Sequence, residues 1–313
     1  MTIDAYSKLA IHRWMLQDEI RNEAYRRAIA QTVRPGHVVL DMGAGTGFLS
    51  ILAVQAGARK VYAVERTSIA GVACRMVERN GMADRVEVIE ANLEDVDLPE
   101  KVDVIVSEWM GGLGVDENLL APLVMARDRW LAPGGTVIPE RVTAFLAPAW
   151  VESLAEDWQH WRARPHGVDM SVVAELCADD PLMFHGPVAP TDLLAPPQQL
   201  WTHDAYHCSL GEADRPFASQ LAFAPVRAAK LTNLVAWFHA DLCRGQSLTN
   251  AVGEPRTHWG RLVFPLAGPV EVREGERIAV EFRCEPTAPG TCEFHWSVRV
   301  GELPAEEHDS RRR

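Results

Sequence analysis

The segment Asp41-Met42-Gly43-Ala44-Gly45-Thr46-Gly47 constrains this chain more than any other, because of what stands on either side of it. Residues 37–42 are a short apolar run ending in an acid, and residues 48–58 read as a helix that closes near Gly57. Glycines between a strand and a helix let the backbone turn sharply and approach a ligand closely. The same texture then repeats. Residues 60–65 are an apolar strand ending on Glu65, residues 68–81 a helix closed by Gly81, and two more apolar strands end near Asn92 and Glu108. Residues 119–135 read as a further helix with a Pro-Gly stop. Continuous apolar strands alternating with helices predict a parallel sheet covered on both faces. Residues 31–142 are therefore expected to form a doubly wound, Rossmann-like domain.

A glycine-rich turn followed by an acid at the next strand end suits two cofactors. A dinucleotide would set its pyrophosphate on the helix N-terminus. S-adenosylmethionine carries no phosphate, but has a cationic sulfonium and an ammonium group. Asp41 would repel a pyrophosphate and suit the ammonium. The order Asp-x-Gly-x-Gly-x-Gly also differs from the dinucleotide fingerprint Gly-x-Gly-x-x-Gly. S-adenosylmethionine is thus the expected cofactor. Glu65 is placed to accept both ribose hydroxyls, and Glu94 to meet the adenine amino group.

The remaining chain changes texture. Residues 1–30 read as helix, with Ile11, Met15, Leu16 and Ile20 at helical spacing. After Pro139 comes a strand at 143–150, then a helical or irregular stretch, 151–176, that holds Trp158 and Trp161. Several β-rich segments follow between turn residues, and residues 143–313 predict an antiparallel β domain. The 31 Lys+Arg against 43 Asp+Glu give a net charge of −12. That excess disfavours nucleic-acid binding and favours a cationic substrate. No apolar run predicts a membrane span, the N-terminus does not read as a signal peptide, and a cytoplasmic location is the expectation. The six cysteines show no zinc or disulfide spacing. Arg311, Arg312 and Arg313 read as a solvated tail.

Glu108 at a strand end and Glu117 beyond a glycine-rich loop place two carboxylates at the ligand edge of the sheet. Paired carboxylates match the forked donors of a guanidinium. They also draw positive charge away from the nitrogen that must attack, in a group whose pKa lies above ~12.

These motifs resemble the protein arginine N-methyltransferase family. Ser107 to Gly111 followed by Glu117 is similar to its double-glutamate loop, and residues 126–140 to the segment after it. Thr257-His258-Trp259 resembles its loop in the β-barrel domain. Tyr6, Ile11, His12, Met15, Leu16, Asp18, Glu19 and Arg21 resemble its cofactor-lid helices, and residues 151–171 its dimerisation arm. The likeness runs from about residue 3 to about residue 300. It implies a Rossmann-like methyltransferase domain, an antiparallel β-barrel with a helical arm, and a homodimer. It also implies roles. Asp41, Gly43, Gly45, Glu65, Leu93 and Glu94 would contact S-adenosylmethionine, with His12, Met15 and Arg21 from the lid and Arg21 at the methionine carboxylate. Glu108 and Glu117 would clamp the guanidinium. Met15 would be the active-site methionine of enzymes that make monomethyl and asymmetric dimethyl arginine. His258 would pair with Asp18, to relay a proton or brace the lid. Trp259 would wall the substrate pocket, and Tyr6 would contact substrate.

The departures lie on the substrate side. Gly112, Val115 and Asp116 stand where the family usually carries aromatics, Leu119 where it has a methionine, and Thr2-Ile3 where it has Tyr-Phe. Fewer aromatics would open the pocket, and Asp116 would make its entrance more acidic. The expected substrate is an arginine-containing protein or peptide, free arginine or a small guanidine. The alternatives are a biosynthetic guanidine N-methyltransferase and a binding scaffold without turnover.

Overall fold

The computed structural model describes residues 6–288 and 290–312, and the side chains of residues 157, 158 and 288 fall outside the description. Two helices come before the first strand among the described residues. α1 (Leu9–Gln17) and α2 (Glu19–Thr32) meet at Asp18, which ends the first and caps the second by accepting the Arg21 N–H at 3.0 Å. An acid at this position satisfies an otherwise orphaned helix donor.

The first sheet contains β1 (Val38–Met42), β2 (Lys60–Glu65), β3 (Val86–Glu90), β4 (Val102–Ser107) and β5 (Leu131–Ile138) in the order β3-β2-β1-β4-β5. Every pairing is parallel. β1 and most of β2 are buried, as apolar strands covered on both faces require. The helices between strands are α3 (Phe48–Gln55), α4 (Ala70–Arg79) and α5 (Leu120–Trp130). Strand order reverses between β1 and β4. Met42 and Ser107 are register partners there, so their carboxyl ends open a crevice.

One sequence reading is corrected. Pro133-Gly134-Gly135 does not end a helix but lies within β5, which begins where α5 stops. β5 is an edge strand with an irregular register against Val102 and Val104. Such an edge tolerates a proline without an N–H and a glycine at φ +77°.

The second unit is antiparallel. Its strands are β6 (Arg141–Ala149), β7 (Leu182–Phe184), β8 (Gln198–Asp204), β9 (Phe217–Phe223), β10 (Ala229–Cys243), β11 (Gln246–Thr249), β12 (Arg261–Val272), β13 (Ile278–Ala288), β14 (Thr291–Val300) and β15 (Glu306–Asp309). One sheet runs β7-β12-β10-β6-β8 with β11 on β10, and the other runs β15-β14-β13-β9. Phe264, Phe282 and Trp296 fill the space between them, with Phe264 edge-on to Phe282 at 4.7 Å. Between β6 and β7 lie α6 (Glu152–Arg162) and α7 (Ser171–Ala178), so the helical segment extends past residue 171. The basic C-terminus is not simply solvated. Arg311 pairs with Asp309 at 2.9 Å, while Arg313 falls outside the described residues. Among the described residues no helix is long and apolar enough to cross a membrane.

Candidate active site

The crevice at the ends of β1 and β4 is a cavity roofed by the lid helices. Its wall includes Tyr6, His12, Met15 and Arg21 from the lid, and Gly43, Gly45 and Glu65 from the first βαβ unit. Leu93 and Glu94 follow β3, and Glu108 and Glu117 complete it. Residues far apart in sequence therefore converge on one space.

The glycine turn is built by short-range bonds. Gly43 and Ala44 N–H donate to the Val64 carbonyl at 2.9 and 3.0 Å, tying the turn to β2. Gly45 has φ +55°, and a Cβ there would stand 3.0 Å from His12 Cε1. A side chain would be strained by the backbone and would collide with the lid. His12 is buried and its Nε2 lies 2.8 Å from the Tyr6 carbonyl oxygen, which fixes Nε2 as the protonated nitrogen. Glu65 accepts the Gly45 N–H at 3.0 Å and the Thr67 N–H at 2.8 Å, one on each oxygen. This holds the carboxylate rigidly while leaving lone pairs toward the cavity.

Asp41 is not where its charge suggested. It is buried, takes the Ser50 hydroxyl at 2.6 Å, and does not line the cavity. Burial pushes its carboxyl up to about 6, against the hydrogen bonds from Ser50. It braces the turn against α3, with Oδ1 buried and without a partner.

The lid and the two glutamates meet at the other end. Arg21 is buried; its Nη2 lies 3.4 Å from Glu108 Oε2, its Nη1 donates to Asn22 at 3.0 Å, and its Nε has no partner. Glu108 also accepts the Met110 N–H at 3.2 Å. The Tyr6 hydroxyl donates a short hydrogen bond to Glu117. Burial raises the Glu117 carboxyl to about 8; the nearby charge of Glu108 adds to this and the Tyr6 bond opposes it. Glu117 can therefore hold or release a proton near neutral pH.

Asp116 does not acidify the entrance. Its two oxygens accept the N–H groups of Gly112 and Leu113 at 3.0 and 2.8 Å, so the carboxylate is folded into its own loop. Gly112 does not open the pocket either. A Cβ there would stand 2.6 Å from Met183 Cε, so a methionine from β7 fills the adjoining space. Thr2 and Ile3 lie outside the described residues.

His258, Asp18 and Trp259 do not line the cavity. His258 Nδ1 and its backbone N both lie 2.8 Å from Asp18 Oδ2. Burial would raise the Asp18 carboxyl, but hydrogen bonds from His258 and Arg21 outweigh it and hold it below its ordinary value. Trp259 is buried; its Nε1 donates to the Met110 carbonyl at 2.6 Å, and Phe238 meets it edge-on at 5.1 Å. It supports the glutamate loop from behind rather than walling the pocket, because the indole N–H needs a partner when buried. Wall residues not singled out from the sequence include Arg66, Pro122 and Gly290. Arg66 and Pro122 adjoin residues that were, whereas Gly290 comes from the β13–β14 hairpin and donates its N–H to the Glu117 carbonyl at 2.9 Å. No local signal marks Gly290.

Residues 140–298 match the arginine methyltransferase oligomerization subdomain, and residues 26–138 match ribosomal protein L11 methyltransferase. The chain is 35% identical to protein arginine N-methyltransferase 6 of Danio rerio, over 98% of this chain and 90% of that one. It is 33% identical to protein arginine N-methyltransferase PRMT10 of Arabidopsis thaliana, over 87% of this chain and 79% of that one. Among solved structures, the PRMT1 enzyme–prozyme heterotetrameric complex of Trypanosoma brucei with AdoHcy superposes with a TM-score of 0.88 at 28% identity, covering 98% of this chain and 99% of that one. Arabidopsis thaliana protein arginine methyltransferase 10 gives 0.82 at 30% identity, covering 99% and 100%.

Proposed function

The chain belongs to the protein arginine N-methyltransferase family, and from that premise we propose that Glu108 and Glu117 clamp a guanidinium for methylation in the crevice between β1 and β4. S-adenosylmethionine is the cofactor. The residues present suit it. The Gly45 turn leaves backbone space, Glu65 is pre-set for hydroxyls, and the buried Arg21 keeps an unpartnered Nε beside the cavity for a carboxylate. When bound, the cofactor supplies an electrophilic methyl group on a sulfonium.

The protein's own part is orientation and charge. Glu108 and Glu117 accept the forked donors of the guanidinium and hold one nitrogen toward the methyl. Their negative charge favours resonance forms with the positive charge away from that nitrogen. The arriving guanidinium returns Glu117 to its ionised form, since opposite charge lowers a carboxyl pKa. Glu117 is then placed to take the proton that methylation releases. The Asp18–His258 pair locks the lid onto the barrel loop and holds Arg21 in register. The observation that carries this reading is the convergence of Arg21, Glu108, Tyr6 and Glu117 on one cavity with Glu65.

We also propose that the active form is a homodimer. Val168, Val172 and Leu176 are 58, 63 and 45% exposed in the helical segment between β6 and β7, an apolar stripe suited to a partner surface. Trp161 lines a cavity with Leu154, Ala174 and Cys177. The Trp158 side chain lies outside the described residues. Val172→Asp with Leu176→Asp should yield a monomer by light scattering; a wild-type chain that is monomeric at micromolar concentration refutes the dimer. The main test supplies methyl-labelled cofactor with arginine, agmatine and arginine peptides and reads products by mass spectrometry. Label on a guanidino nitrogen is expected, and label on no guanidine would overturn the reading.

A further inference from the structure

Barrel residues donate to the glutamate loop at a row of its backbone carbonyls. Met110 accepts the Trp259 indole N–H at 2.6 Å, and Gly112 accepts the Asn250 side-chain amide at 2.9 Å. Val115 accepts the Cys292 thiol at 3.5 Å, and Glu117 accepts the Gly290 N–H at 2.9 Å. Asn250 and Trp259 lie between β11 and β12. Gly290 and Cys292 belong to a different part of the barrel, the hairpin of β13 and β14, with Gly290 in its turn and Cys292 in β14.

The loop ties much of itself together. Gly111 and Gly114 exchange backbone hydrogen bonds at 3.3 and 3.2 Å. The Asp116 carboxylate accepts the Gly112 and Leu113 N–H groups, and the Asn118 N–H closes a turn on Val115 at 3.0 Å. The bond on the Glu117 carbonyl comes from outside this network. Gly290 also walls the cavity that Glu117 completes. Its φ of +85°, a conformation that suits glycine, lets the hairpin turn present its N–H to the loop. Glu117 is thus held at two points. Tyr6 of the lid donates to its carboxylate, and Gly290 of the barrel donates to its carbonyl.

We propose that Gly290 is a positioning residue for methyl transfer: its N–H, seconded by the Cys292 thiol, fixes the backbone of Glu117 so that the carboxylate meets the guanidinium in register with Glu108. The proposal rests on the guanidine-methylation reading above. A carboxylate clamp works by orientation, and a misplacement of about 1 Å can cost about a hundredfold in rate. A glutamate side chain has several rotatable bonds, so its aim depends on the backbone it starts from as well as on Tyr6 at its end. The Cys292 tie is the weaker of the two, because a thiol is a weak donor.

The Gly290 N–H can be removed without adding a side chain. Full-length protein with glycolic acid in place of Gly290 carries an ester oxygen where the N–H stood. It is made by joining residues 1–283 to a synthetic segment that begins at Cys284, and a wild-type chain assembled in the same way is the reference. The ester is expected to lower kcat on an arginine peptide about tenfold, the kinetic equivalent of one backbone hydrogen bond. S-adenosylhomocysteine affinity should stay within about twofold. In a Glu117→Gln background the same ester should change the residual rate by less than about twofold, because the carboxylate it positions is gone. An equal loss in both backgrounds would overturn the proposal, since a purely structural role does not pass through Glu117. An ester chain with the reference kcat would overturn it too, as would a fall in cofactor affinity that matches the fall in kcat. Should the ester chain not refold, the thiol decides. Cys292→Val, without a donor, is expected to turn over about twofold more slowly than Cys292→Ser, which keeps one, and equal rates would sink the idea. A reference chain that methylates no guanidine would instead overturn the underlying reading.

Discussion

The two ends of the cleft are built in different ways. At the glycine turn the bonds are local: Glu65 is held by Gly45 and Thr67, and the turn by Val64, all within one βαβ unit. At the glutamates, beside local bonds such as Met110 N–H to Glu108, the bonds come from distant segments. Tyr6 reaches Glu117 across 111 residues, Trp259 reaches Met110 across 149, and His258 reaches Asp18 across 240. The cofactor end is thus set by one supersecondary unit. The guanidine end exists only once lid, glutamate loop and barrel have docked. Affinity for the cofactor and competence for transfer should therefore be separable by mutation.

The largest effect should fall at the docked end. Glu108→Gln and Glu117→Gln keep shape but remove charge from the clamp. Each is expected to lower kcat/KM by about a thousandfold, the upper range for one preorganised electrostatic partner. S-adenosylhomocysteine affinity, read by calorimetry, should persist in both. If both variants lost cofactor binding, the two ends would not be separable and the clamp role would fall.

The local end should show the converse pattern. Glu65→Gln is expected to weaken S-adenosylhomocysteine binding about tenfold, the worth of one hydrogen bond to a charged group. At saturating cofactor, kcat should stay close to wild type. A drop in kcat of the same size, with affinity retained, would break the division.

The same contrast explains what the sequence disclosed. The glycine turn, Glu65 and the strands around them were legible because turn chemistry and strand period are local. Glu108 and Glu117 were legible as chemistry suited to a guanidinium, and the family likeness supplied their pairing. Side-chain facing was harder. Asp41 ends an apolar strand in either reading, and only packing shows its carboxylate on Ser50 rather than in the cavity. Trp259 as a pocket wall is what the resemblance implies, and Trp161 stands in the expected arm with no direction assigned to it. Their directions are set by partners on other strands and loops, which periodicity does not see. Asp116 looked like added entrance charge, yet it is spent on two N–H groups a few residues away.

A smaller and more diagnostic effect concerns pH. The Glu117 carboxyl is raised from 4.5 to about 8, chiefly by burial and then by Glu108. Its folded form therefore binds a proton that the unfolded chain has released above its ordinary range. The resulting stabilisation is fully present at pH below the unfolded value and is lost as pH rises through the folded one. Wild-type thermal stability should fall between pH 5 and 9, and Glu117→Gln should flatten that fall by about a few degrees. Guanidine kcat/KM should rise over the upper part of the same window as the clamp ionises. Tyr6→Phe, which removes the opposing hydrogen bond, should move that rise to higher pH. Parallel stability profiles for wild type and Glu117→Gln would show that the docked end does not hold the proton.

The smallest effect probes how the docked end accommodates its own departures from the family. Gly112 leaves no void, because Met183 Cε and Sδ stand 2.6 and 2.8 Å from where a Cβ would be, with Leu262 at 3.6 Å. Met183 is a flexible side chain, so Gly112→Ala forces it to move rather than breaking the fold. The expected cost is about 1 kcal/mol, at the low end for overpacking a side chain that can shift. Met183→Ala with Gly112→Ala should recover part of the loss expected from adding the two single effects, and that coupling is the measurement that matters. Coupling would mean that β7 of the barrel packs directly on the glutamate loop, so that this end of the cleft is shaped by a strand far from it in sequence. Strict additivity would mean the loop holds its form by Asp116 alone, and the guanidine end would then be more local, and closer in kind to the cofactor end, than its long-range hydrogen bonds imply.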